Sequence, residues 1–194
     1  MYRLACLALA ALVAAGCAST PADVSSDAHE HVHVSADDPD PERNAQWLQQ
    51  LAGEWTCTGE AWMAPDAEPM TMESTETIRT IGDQWIVAES HADFQGEPFH
   101  SVMALGYDPN EGAFVGTWID SLQTTLWVYR GTLDAERKTL TLETEGPTFG
   151  DPSVTTSYRD ALTIVSPDHK RLTSSAKLED GTWVTFMKAD YTRK

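Results

Sequence analysis

The chain has 194 residues, with 13 Lys and Arg against 30 Asp and Glu and a formal net charge of −17. That length suits one domain with a tail, and a 41% hydrophobic fraction with seven Trp excludes disorder along the whole chain. A pI near 4.5, without any cluster of Lys and Arg, excludes nucleic acid as a partner, because such a chain repels phosphates.

Met1-Tyr2-Arg3 supplies a short positive start, and an apolar run follows from Leu4 to Ala15. The run is too short for a hydrocarbon core, which needs roughly 20 residues, and fits the apolar segment of a secretory signal. It ends Val13-Ala14-Ala15-Gly16-Cys17-Ala18-Ser19. This resembles the lipobox of bacterial lipoproteins, with Ala14 where the motif prefers Leu. The resemblance implies cleavage after residue 16, lipidation of Cys17 and a membrane anchor. By the sorting rule of such lipoproteins, Ala18 implies an outer-membrane lipoprotein facing the periplasm. The alternative is an ordinary signal with a bystander Cys. Cys6 leaves with the signal in either case. Cys57 then stands alone, and the fold must hold without an internal disulfide.

Residues 17–43 form an acidic tether on composition. From Ala18 to Arg43 there are seven acids, one base, three Pro and no Leu, Ile or aromatic residue, too little apolar surface to offset the entropy of ordering. His29, His31 and His33 alternate within it. Three such imidazoles suit Zn²⁺ or Cu²⁺ as a weak, exchangeable site, and the plainer reading is a solvated polar linker.

The domain is expected over 44–194, entered through one short helix. Asp40 is the expected N-cap, Pro41 the first helical residue and Glu42 the first-turn acid, with Trp47, Leu48 and Leu51 at helical spacing and Gly53 as the stop. Ten strand-like runs follow at 54–63, 71–81, 84–94, 98–107, 113–119, 124–133, 139–145, 154–165, 171–178 and 182–192, separated by turn residues such as Gly82-Asp83 and Asp180-Gly181. No crossover helix is available, so the pairing is antiparallel and sequential. Closure removes the two exposed edges of such a meander, and the expected fold is an all-β, closed antiparallel up-and-down barrel of about ten strands.

Leu51-Ala52-Gly53-Glu54-Trp55-Thr56, Leu105-Gly106-Tyr107-Asp108, Gly116-Thr117-Trp118-Ile119-Asp120-Ser121 and Tyr191-Thr192-Arg193 together resemble a bacterial family known as domain of unknown function 1579. The resemblance covers Trp47 to Lys194. It implies a barrel like those of lipocalins and fatty-acid-binding proteins, often exported, and no activity. Gly53-x-Trp55 with the late Arg193 also resembles the lipocalin signature, which implies a structural stack of Arg193 over Trp55. Nitrobindin-like barrels take haem through a His near the chain end. No His follows His169, so haem is not expected.

A barrel of this size has room for a small apolar or amphipathic ligand. Alternation places Leu140, Leu142, Leu172, Ser174, Ala176 and Leu178 inside, and by the same parity Tyr158, Trp183, Met187 and Trp118. Trp85 and Met103 are further lumen candidates. Glu89, His91 and Arg130 are candidate polar anchors for a ligand, and Asp120 ends a strand at a mouth, where it caps a turn or meets a ligand. The sequence has no Gly-x-Ser-x-Gly, His-Glu-x-x-His or Cys-x-x-Cys motif. Cys57 with His91 or His100 as base is the one nucleophilic combination, set against an inert core thiol. The expected function is ligand binding by a tethered envelope barrel. The alternatives are a structural or partner-binding protein with a filled barrel, an enzyme working at the mouth, or metal capture by the tail.

Overall fold

The structure is a computed structural model that describes residues 40–62, 67–94, 96–148 and 151–194. The proposed signal peptide, Cys17 and His29, His31 and His33 lie outside these residues.

Helix α1 (Pro41–Gln49) starts where capping chemistry dictates, three residues ahead of the expected domain boundary: Asp40 Oδ1 accepts the Arg43 amide at 3.2 Å, and Pro41 occupies a position that needs no amide. Trp47, Leu48 and Leu51 are buried in the core. Trp47 Nε1 donates to the Arg137 carbonyl at 2.9 Å, and its ring meets Phe114 edge-on.

Ten strands follow: β1 (Gly53–Ala61), β2 (Met70–Ile81), β3 (Trp85–Phe94), β4 (Glu97–Asp108), β5 (Ala113–Asp120), β6 (Trp127–Leu133), β7 (Thr139–Pro147), β8 (Thr155–Ser166), β9 (His169–Lys177) and β10 (Trp183–Arg193). Each pairs antiparallel with its sequence neighbours, and β1 pairs with β10, so the sheet closes into a barrel. Closure pairs every strand on both sides, although β6 and β7 are joined only over Arg130–Leu133 and Leu140–Glu143.

Even turns place the β2–β3, β4–β5, β6–β7 and β8–β9 connections at the end covered by α1. There the inward side chains are buried: Ile78, Ile86, Leu105, Phe114, Leu140 and Tyr191. Each large apolar side chain so buried contributes about 1.5–3 kcal/mol, and together they make this half a packed core. At the opposite end inward Met72, Met103, Trp118 and Met187 are half-buried, while Trp127 and Ser101 are buried. The β6–β7 ladder runs from Leu133 opposite Leu140 to Arg130 opposite Glu143. Beyond it the Trp127 ring lies against Gly146, where any side chain would collide with the indole.

Candidate ligand-binding site

Cross-strand partners share a face, so the register assigns every candidate to one side of the wall. Met103 opposes Trp118, which opposes Trp127, and all three point inward. Met187 opposes Ser174, and Tyr158 opposes Thr144 and Ala176; these are inward as well. With Met70, Met72 and Phe186 they form a Met and aromatic collar at the end away from α1, in which Trp127 and Tyr158 are buried and the others half-buried. Asp120 sits at this rim and caps the β5–β6 turn, accepting the Leu122 and Gln123 amides at 2.6 and 3.2 Å and the Gln123 side chain at 2.7 Å.

Five candidates face outward instead. Trp85 pairs with Gly106 in the outer row and rests on that glycine, 41% exposed. Glu89 and His91 oppose Thr77 and Thr75 on the outer face. Arg130 is exposed and pairs with Glu111. Trp183 opposes Lys177 on the outside, beneath the Arg159 guanidinium at 4.1 Å. A bulge between Thr185 and Met187 explains the last case: the extra residue shifts the alternation, so Met187 and Trp183 cannot share a face. Leu178 is exposed because β9 ends at Lys177 and Leu178 begins the turn. Cys57 is buried inside while His91 and His100 lie outside, so the nucleophile–base combination does not form.

Below the collar the lumen holds polar groups that the sequence reading missed. The Tyr129 hydroxyl donates to Asp160 Oδ2 at 2.6 Å. Loss of water raises the Asp160 carboxyl above its ordinary range, against the hydrogen bonds from Ser174 and Tyr129 that lower it. Lys170 makes a buried ion pair with Glu76 and lies over the Tyr191 and Trp55 rings at 4.2 and 5.1 Å. Burial pushes the Lys170 ammonium below its usual range, opposed by the Glu76 charge. Arg193 covers Trp55 at 4.1 Å and donates to the Ala52 and Gln50 carbonyls at 2.6 and 2.9 Å. Parity from Leu172 and Ile78 places Lys170 and Glu76 inside, and that was the available signal.

Among the described residues, two buried side-chain polar atoms lack a hydrogen-bond partner: Trp127 Nε1 and Thr144 Oγ1. Their residues are 8% and 7% exposed, and both face inward where β6 and β7 part. A donor left so is costly unless something meets it.

These features define a closed up-and-down β-barrel, packed at the helix end and lined by Met and aromatic side chains at the other. The chain belongs to the family described as Protein of unknown function (DUF1579), which matches residues 40–193. No curated protein matches. Among solved structures the chain is similar to Rv2717c from M. tuberculosis, at 14% identity and TM-score 0.57, over 81% of this chain and 99% of that one. It is also similar to the S-type phycobiliprotein lyase CPES from Guillardia theta, at 13% identity and TM-score 0.54, over 77% and 91%. At such identities these likenesses describe the fold.

Proposed function

We propose that the barrel binds a small apolar or amphipathic molecule through the mouth opposite α1. The observation that carries this reading is the collar of Met103, Trp118, Phe186 and Met187 above two unpartnered polar atoms. The apolar collar suits an acyl chain or a flat ring, and Trp127 Nε1 with Thr144 Oγ1 supplies donors for a ligand oxygen. One protein that shares the fold is, by its name, a phycobiliprotein lyase. That accords with a barrel able to hold a small organic ligand. The proposed setting is the cell envelope, with Cys17 lipidated at the outer membrane, the domain facing the periplasm, and the acidic segment as its tether.

A second reading has an observation in its favour. The lower half of the barrel is filled by Leu105, Phe114, Leu140 and Leu142, which suits a structural or partner-binding envelope protein. Native mass spectrometry of the purified chain separates the two. A co-purifying small molecule released on denaturation supports ligand binding. A bare mass that stays bare after incubation with fatty acids supports the filled barrel.

A further inference from the structure

The outer wall carries a second constellation, independent of the lumen. The β3–β4 register sets His91 directly opposite His100, and both are exposed. Their rings stack with centroids 4.3 Å apart and planes 8° from parallel. Glu89 stands two residues before His91, on the same face by strand alternation. One ligand atom each from Glu89, His91 and His100 lies within 4.8 Å of the others.

We propose that Glu89, His91 and His100 form a surface site for a divalent first-row transition ion such as Zn²⁺. Two imidazoles and one carboxylate are the donor set that suits zinc, copper(II) and nickel(II), whereas magnesium and calcium call for oxygen alone. Zinc sits about 2.0–2.1 Å from each donor, which puts tetrahedral donors about 3.4 Å apart. The present spacing closes to that by rotation about side-chain torsions, with the strands left in place. The backbone supports this: directly opposed β residues have Cβ atoms about 5 Å apart and diagonal ones about 7–8 Å, within reach of a Glu side chain. The group competing for Glu89 is Arg79, whose Nη2 lies 3.3 Å from Glu89 Oε1 in an exposed pair. Such pairs are weak, and an ion of twice the charge held by two further donors displaces the guanidinium. A net charge of −17 enriches cations around the whole surface. Three protein donors leave a coordination position for water, so the site is open to exchange.

The competing zinc ligands are His29, His31 and His33, so the test uses the full chain with those three replaced by Ala. Calorimetric titration with zinc chloride is expected to give one saturable site per chain. His91→Gln or His100→Gln is expected to weaken it at least about tenfold, with Glu89→Gln weakening it less. Cobalt(II) supplies a second readout, because its visible absorption reports ligand identity and changes in each Gln variant. Far-UV circular dichroism confirms that the variants fold. The proposal is overturned if the three-Ala chain shows no saturable zinc binding. It is equally overturned if the His91→Gln and His100→Gln affinities stay within about twofold of the parent.

Discussion

The Tyr129 hydroxyl reaches across β7 to Asp160, donating to Oδ2 at 2.6 Å inside the barrel. On β7 Leu142 opposes Asp160 on one side and Gly131 on the other, and Gly131 leaves room for the tyrosine to pass. A carboxylate set among such neighbours has lost most of its water, and folding must bear that cost.

A pH signature follows from that cost. The Asp160 carboxyl is raised by loss of water, against the hydrogen bonds from Ser174 and Tyr129. Between its ordinary and raised values the folded chain binds more protons than the unfolded one. Its contribution to stability is therefore full below the ordinary carboxylate pKa and is lost as pH rises through the raised value. Asp160→Asn cannot charge and still accepts the Tyr129 hydroxyl. Urea denaturation across pH is expected to show a flatter decline above about pH 4 in the variant, with stability at neutral pH equal or higher. An unchanged pH slope would remove Asp160 as its source.

The buried Lys170–Glu76 pair gives the largest expected loss. Lys170→Met leaves the Glu76 carboxylate buried without a counter-charge, at about 3–5 kcal/mol. Adding Glu76→Gln removes that orphaned charge, and the double variant is expected to recover most of the loss in chemical denaturation. Equal destabilisation of single and double variants would mean that packing on Trp55 and Tyr191, and not charge, governs the site.

Arg193 ties the last strand to the loop after α1. Arg193→Ala removes the cation over Trp55 and the donors to the Ala52 and Gln50 carbonyls, an expected loss of about 2–3 kcal/mol. Gly53→Ala is expected to act through the same contact. Gly53 has φ +137°, and an added Cβ would strike the Arg193 guanidinium. Combining the two is expected to cost less than the sum of the singles; full additivity in a thermal-melt cycle would separate them.

Trp127→Phe distinguishes a ligand donor from a packing residue. The benzo-ring contact with Gly146 is lost, at a cost that removal of an unpartnered donor offsets in part. Stability is expected to stay within about 1–2 kcal/mol of the parent, while affinity for an oxygen-bearing ligand falls. Unchanged affinity in a fluorescence titration would take Nε1 out of the binding account.

The barrel was legible because its signals are local. Asp40-Pro41 announces the helix, and turn residues divide the rest into ten strands of period two. Facing was legible where alternation is clean, as with Leu140 and Leu142 on β7 or Leu172, Ser174 and Ala176 on β9. It failed at Trp183, where a bulge resets the phase, and at Trp85, where Ile86, Val87 and Ala88 are buried in succession and parity gives no answer. The polar interior was hidden for another reason. Glu76 and Lys170 stand 94 residues apart, and only closure of the barrel makes them partners. His91 and His100 were visible singly, but their apposition depends on the β3–β4 register.

The proposed function requires that a ligand enter between Met103, Trp118 and Met187. Its most direct test is titration of the full chain with a fluorescent fatty acid, alongside Met103→Trp and Met187→Trp, which narrow the mouth, and Trp85→Ala on the outer wall. The expected result is saturable one-to-one binding, weakened at least about tenfold by either mouth variant and held within about twofold in Trp85→Ala. Absence of saturation, or mouth variants that bind as the parent does, would contradict it.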